Sequence, residues 1–282
     1  MISLAYEIVD VFTDRPFAGN PLAVVFGADD LSGQQMLVLA KEFNLSETIF
    51  VLPSSQATYR ARIFTPDREL PFAGHPSVGA AVMVTRRGLA EPGTLTQECG
   101  AGILPIAVVG GAATLTGGAA TVGDPLDPAP LLEITGLTGA DVVGVVRRAG
   151  CGLEFPFLPV TAEALARASV DGAAARRHGL TDVCAFAWDP DSRSAQSRVF
   201  CPGLGVPEDP ATGSAALGLG VWLVTSGLLP ASGTARYTVH QGTFIDRPSL
   251  LSCTVTAVDG VVTNATVSGE VVPIATGTIR VP

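Results

Sequence analysis

The sequence predicts an α+β protein of two pseudo-repeated domains, each a mostly antiparallel sheet or barrel wrapped around one central helix. Three observations carry this. Short β-branched runs separated by Gly, Pro or Asp dominate the chain, as antiparallel sheets require. Helical periodicity is confined to four segments. One motif also occurs twice: RIFTP at 62–66 ahead of PFAGHPSVGAAVMV, and RVFCP at 198–202 ahead of PEDPATGSAALGLGVWL. Each copy reads as a strand, a Pro-containing loop, a Gly and then a helix of small and apolar residues, the signature of a duplicated unit.

The elements follow in order. Strand-like runs EIVDVF and AVVFG lead to a helix at 32–43, which has a Ser N-cap and a periodic apolar face. TIFVLP and RARIF precede the first copy of the motif, where Pro76 opens a helix over 76–87. ILPIAVV and ATLTG close the first half, and GDPLDPAP at 123–130 reads as a linker. A Thr-capped helix at 161–178, the strands VCAFAW and SRVF, and a helix at 214–226 follow. ARYTVHQ, LLSCTVTAV, VTNATVSG and VVPIATGTIRV end the chain as strands. The expected division is 1–125 and 126–267, with the last strand, 268–282, a candidate addition to the first domain.

Bulk properties exclude several functions. The 282 residues are 47% hydrophobic and 15% charged, enough for a sizeable core. A net charge of −9 speaks against a nucleic-acid or anionic-membrane partner, while a local site still accepts a small anion. Cys99, Cys151, Cys184, Cys201 and Cys253 lack metal or disulfide spacing, and His75, His178 and His240 are scattered, so no metal is expected. No nucleotide, serine-hydrolase or zinc-protease motif occurs, so no cofactor is expected. The start of the chain alternates like a strand and has no signal-peptide pattern, and the uncharged stretches 99–123 and 211–235 are too rich in Gly, Thr and Ser for membrane spans. A cytoplasmic protein is expected.

The chemistry-bearing residues sit at the turns. Gly74 and His75 lie at the start of a helix whose free N–H groups suit an anion. His75 reads either as a packed, hydrogen-bonded histidine or as a ligand-facing proton carrier. In PEDPATGSAA, Asp209 and Thr212 either cap the helix or join Gly213 and Ser214 in binding a carboxylate. Glu47, in NLSETIFVLP, is either a solvated junction residue or a base at an apolar cleft mouth with its pKa raised by desolvation. Asn20, in FAGNP, either satisfies its turn or reaches a substrate. The two Gly turns are expected to face a shared cleft.

VDVFTDRPFAGNPLAVV, NLSETIFVLP, RIFTPDRELPFAGHPSVGAA, VFCPGLGVPEDPATGSAA, HQGTFIDRPSLL and VSGEVVPIATGTI together resemble the phenazine-biosynthesis isomerase (PhzF-like) family, whose fold is that of diaminopimelate epimerase. The resemblance implies a homodimer that shifts a proton within a small anionic amino-acid-like substrate without metal or coenzyme. Its reference substrate is trans-2,3-dihydro-3-hydroxyanthranilate, in secondary-metabolite biosynthesis. It implies that Glu47 carries the proton from one ring carbon to another, that His75 and Asp209 assist, and that Gly74, Gly213 and Ser214 hold the carboxylate. An unsaturated alkylproline-type precursor is the alternative substrate, and a catalytically silent binding protein on the same fold the alternative role. Related epimerases place a cysteine in each turn; here Ala73, His75, Asp209 and Ser214 stand there, which disfavours a two-thiol racemase. One departure is Asp246, where the family often has Gly before Arg-Pro-Ser.

Overall fold

The computed structural model describes residues 3–204 and 206–282; Met1, Ile2 and Gly205, which the sequence reading included in its segments, lie outside them. The chain forms two compact units, Met1–Thr116 with Ser268–Pro282, and Gly117–Val267.

The first unit contains strands β1 (Ser3–Val11), β2 (Asn20–Phe26), β3 (Glu47–Leu52), β4 (Tyr59–Phe64), β5 (Glu69–Leu70), β6 (Gly93–Cys99), β7 (Gly102–Val109) and β8 (Ala112–Thr116), with helices α1 (Gly33–Phe43) and α2 (Gly74–Arg86). β1 pairs antiparallel with β2, β2 parallel with β3, β3 antiparallel with β4 and β4 parallel with β6. β6, β7 and β8 continue as antiparallel hairpins. The final strand, Val261–Arg280, pairs through its second half with both β8 and β1, so eight strands close into a barrel.

α2 runs inside that barrel, against β1, β2, β3, β6, β7 and β8. Its residues Gly74–Val84 are all buried, as a helix apolar around its whole circumference must be. Small residues let it fit: a Cβ on Gly79 would lie 2.5 Å from Leu22 Cδ2. α1 lies outside the barrel and packs Met36, Leu39 and Ala40 with Val25, Phe50 and Phe64. Its Ser32–Gln35 capping box and left-handed Asn44 give it definite ends.

The second unit repeats this plan. It holds β9 (Ala120–Pro125), α3 (Ala129–Thr135), β10 (Arg147–Cys151), β11 (Leu153–Pro159), α4 (Ala162–Arg167), α5 (Gly172–His178), β12 (Val183–Asp189), β13 (Ser194–Cys201), β14 (Val206–Asp209), α6 (Gly213–Thr225), β15 (Gly233–Gln241) and β16 (Ser249–Val258). The first half of the strand Val261–Arg280, here β17, belongs to it. The parallel pairs β11–β12 and β13–β15 match β2–β3 and β4–β6. α6 occupies the place of α2, buried from Gly213 to Val224 against β9, β10, β11 and β16. No helix among the described residues is long and apolar enough to cross a membrane, and 99–123 falls largely in strands.

Four expectations need correction. Residues 117–125 belong to the second unit, because β9 pairs with β10. The GDPLDPAP stretch is the end of β9 and the start of α3 rather than a linker; the chain passes between units at 116/117 and 267/268. The helix 161–178 is two helices: Arg198 Nη1 takes the carbonyls of Leu165 and Ala168, and Asp171 starts a new turn by accepting from Ala173 and Ala174 N–H. Finally, α2 begins at Gly74 and α6 at Gly213, so Gly74 and His75 are helical and Pro76 is the third helical residue. Its missing N–H still costs nothing there, since the first N–H groups of a helix have no internal partner.

Candidate active site

Three element starts bring Asn20, Glu47 and His75 together in the first unit. The FAGNP turn is held by the Phe17 N–H, which donates to Asp10 Oδ2 at 2.7 Å. Gly19 has φ 67°, and a Cβ there would lie 2.4 Å from the Val11 carbonyl oxygen, so only glycine makes this turn. The turn delivers Asn20, fully buried, as the first residue of β2. The left-handed end of α1 at Asn44 sends the chain through Ser46 to Glu47, the first residue of β3 and the partner of Leu22 in the β2–β3 pair. α2 supplies His75 from its first turn.

Their polar atoms form a chain. The Ser46 hydroxyl donates to Asn20 Oδ1 at 3.2 Å, and Asn20 Nδ2 stands 3.2 Å from His75 Nδ1. His75 Nε2 lies 3.7 Å from Glu47 Oε2, with the two side chains 5% and 15% exposed. His75 Nε2 is buried without a hydrogen-bond partner among the described residues. Burial pushes the His75 pKa down to about 3, so the imidazole is neutral and the contact with Glu47 is a ring nitrogen facing a carboxylate rather than an ion pair.

The α2 start is anchored from beneath. Tyr59 donates to Gln97 Oε1 at 2.9 Å, Gln97 Nε2 donates to Ser77 at 2.8 Å, and the Ser77 hydroxyl donates to the Ala73 carbonyl at 2.8 Å. Burial pushes the Tyr59 pKa well up, which keeps its O–H a donor. Ala73 offers no side-chain cap, so the N–H groups of Gly74 and His75 keep the anion-binding character expected of them.

The second unit builds its turn separately. Asp209 ends β14, and its Oδ2 accepts from the Thr212 hydroxyl at 2.6 Å. Gln241 accepts from Thr212 N–H at 3.2 Å and donates to the Asp209 carbonyl and Thr212 Oγ1 at 2.8 and 2.9 Å. The Thr212 side chain therefore does not cap α6, against that reading of the sequence, and Gly213 and Ser214 open the helix. Gln241 on β15 does for this turn what Gln97 on β6 does for the α2 start. Gly242, at φ 74°, would place a Cβ 2.2 Å from the Arg247 and 2.7 Å from the Pro210 carbonyl oxygens, so glycine is required beside Gln241. Asp246 has φ 57° and takes the left-handed conformation that a glycine adopts freely, one Asp tolerates better than most residues.

An ion pair fixes the strand that carries Asp209. Arg198 Nε and Nη2 donate to Glu208 Oε1 and Oε2 at 3.0 and 2.6 Å, with both side chains under a tenth exposed. The guanidinium also lies 5.0 and 4.8 Å from the ring centres of Phe200 and Phe244. The equivalent pair of the first unit, Arg62 and Glu69, is bidentate at 2.7 and 2.6 Å, with the Arg62 guanidinium 5.2 Å from the Phe64 ring centre, but it is much more exposed. Ser46, Gln97, Gln241 and the Arg198–Glu208 pair were missed in the sequence; only the repeat of R-x-F could have pointed to the arginines. Among the described residues no group of three or more His, Cys, Asp or Glu is placed to hold a metal ion.

The neutral His75 has a consequence for stability. Its folded pKa lies below the ordinary 6.5 of an unfolded histidine, so between about pH 3 and 6.5 the unfolded chain binds the extra proton. The stabilising effect is complete above pH 6.5 and is lost progressively as pH falls toward 3. From pH 7 to pH 5 this group alone is expected to remove about 2 kcal/mol of stability. Urea midpoints at the two pH values check this: His75→Gln should reduce the difference between them, and an unchanged difference counts against a neutral, buried imidazole.

The family described as "Phenazine biosynthesis-like protein" matches residues 9–277. An uncharacterized isomerase of Pasteurella multocida is 33% identical over 99% of this chain and 94% of its own. Trans-2,3-dihydro-3-hydroxyanthranilate isomerase of Pseudomonas aeruginosa is 36% identical over 86% of this chain and 87% of its own. Among solved structures, a phenazine biosynthesis protein of the PhzF family from Bacillus anthracis superposes with a TM-score of 0.90 at 25% identity, covering all of both chains.

Proposed function

Since the chain belongs to the phenazine biosynthesis-like (PhzF) family and is an isomerase with an α+β, epimerase-like fold, we propose that it moves a proton within a small cyclic or conjugated amino carboxylic acid. Trans-2,3-dihydro-3-hydroxyanthranilate is the substrate to test first, because two relatives at 36% and 34% identity carry that activity in their names. Secondary metabolism is the setting this reading implies.

The observation that carries the mechanism is Glu47 placed 3.7 Å from the Nε2 of a neutral, buried histidine. A carboxylate at this depth takes a proton from a carbon made acidic by conjugation. The electron pair left behind spreads through the unsaturated system, and the same carboxyl returns the proton to a second carbon on the same face. One C–H bond breaks and one forms, with no change of oxidation state, so the step asks for no metal or coenzyme. A tautomerisation of enol to ketone follows. The N–H groups of Gly74 and His75, which Ala73 does not cap with a side chain, favour the substrate carboxylate. Asp209, with Gly213 and Ser214, is assigned proton placement and carboxylate binding on the strength of the pseudo-repeat and its built turn.

Proton NMR of trans-2,3-dihydro-3-hydroxyanthranilate with the protein in D₂O tests the reading. Consumption with deuterium entering the newly protonated carbon is the expected result. Absence of consumption overturns this substrate and moves the proposal to an unsaturated alkylproline-type acid; a ligand that binds without ever exchanging a proton would mark a silent binding protein.

A further inference from the structure

We propose that Asn20, held by Ser46, is a positioning residue that fixes His75 as its Nε2–H tautomer, with that proton facing Glu47; the inference rests on the reading of Glu47 and His75 as partners in proton transfer. A neutral imidazole carries one N–H, and the hydrogen bond at the other nitrogen decides which one. Asn20 has two ends. Its oxygen takes the Ser46 hydroxyl at 3.2 Å, which leaves the amide NH₂ to face His75 Nδ1 at 3.2 Å. An NH₂ can only donate, so Nδ1 accepts and the ring proton stays on Nε2.

The far side of the ring agrees. Nε2 is buried and 3.7 Å from a Glu47 oxygen. In the reversed arrangement Asn20 Oδ1 would accept from Nδ1–H, and the Nε2 lone pair would face a carboxylate oxygen in a site shielded from water, which is electrostatically unfavourable. Both ends of the imidazole therefore select the same tautomer. Asn20 acts through His75 in this account, in place of the direct substrate contact expected from the sequence. Ser46, which precedes the catalytic glutamate, sets the orientation of the amide.

The test uses the full chain labelled with ¹⁵N-histidine and long-range ¹H–¹⁵N spectra, with His178→Gln and His240→Gln to assign the other two rings. In the wild type, His75 Nδ1 should resonate as a bare imine nitrogen and Nε2 as a protonated one. Asn20→Asp replaces the donor by an acceptor of nearly the same shape and should put a proton on Nδ1. That change either removes Nε2–H or creates an imidazolium that blunts the base beside it, so kcat is expected to fall at least tenfold with little change in KM; the wrong tautomer of a catalytic histidine costs up to about 10⁴-fold. If the buried carboxylate prevents folding, Ser46→Ala decides, with a mixed tautomer expected once the amide is free to turn. A wild-type ring protonated on Nδ1 overturns the proposal, as does a folded variant set in which Nδ1 stays bare throughout. The spectra need no substrate, so the tautomer assignment and the isomerase reading fail separately.

Discussion

Glu47→Gln is expected to lower turnover of the proposed substrate, trans-2,3-dihydro-3-hydroxyanthranilate, by at least about 10³-fold, within the range a positioned acid–base group supplies. Under the proton-carrying role proposed for Glu47, substrate affinity should stay within about threefold, because the amide keeps the shape of the carboxyl and only that function is lost. The geometry explains the asymmetry. Glu47 is fixed at the start of β3 by pairing with β2, so the substitution disturbs no turn. Among the described residues, the carboxylate recorded within ion-pair reach of His75 Nε2 is that of Glu47. Single-turnover measurements with isothermal titration separate the two effects. Loss of binding in parallel with rate would show that Glu47 holds the substrate instead of moving its proton.

Glu208→Ala is expected to destabilise the protein by about 3–5 kcal/mol, the cost of leaving one member of a buried pair without its partner. Arg198 would keep the carbonyls of Leu165 and Ala168 and its two aromatic neighbours, yet its charge would lose the carboxylate. Glu69→Ala in the first unit removes the same bidentate contact from a position 43% exposed, and about 1 kcal/mol or less is expected there. The two variants are a matched pair: same residue types, same place in the repeat, different access to water. Denaturation midpoints settle it, and equal losses at the two positions would refute the role given to burial.

The architecture was legible in the sequence because it is periodic. Alternating runs, turn residues and the repeated R-x-F motif each announce themselves locally, and His75, Glu47 and Asn20 stood out by their position beside turns. What escaped was whatever gains meaning only from a distant partner. Gln97 meets Ser77 across 20 positions, and Gln241 meets Asp209 across 32; read alone, each is a polar residue on a strand. Ser46 is hidden for the same reason, since its partner Asn20 lies 26 residues earlier. GDPLDPAP misled because its prolines and aspartates resemble a linker by composition, whereas the pairing of β9 with β10 decides its place. The length of the 161–178 helix was overread because nothing local reveals that Arg198 claims the carbonyls at its middle.

The strand Val261–Arg280 closes the first barrel with residues 268–280, which lie at the opposite end of the chain from the rest of that unit. During synthesis the first 116 residues therefore leave the ribosome without the strand that seals β1 and β8, and both edges stay open to any neighbouring chain. The second unit is continuous from 117 to 267 and is complete before that seal arrives. A nascent chain therefore holds every residue of its second unit before it holds all of its first, the reverse of the order in which consecutive domains are completed.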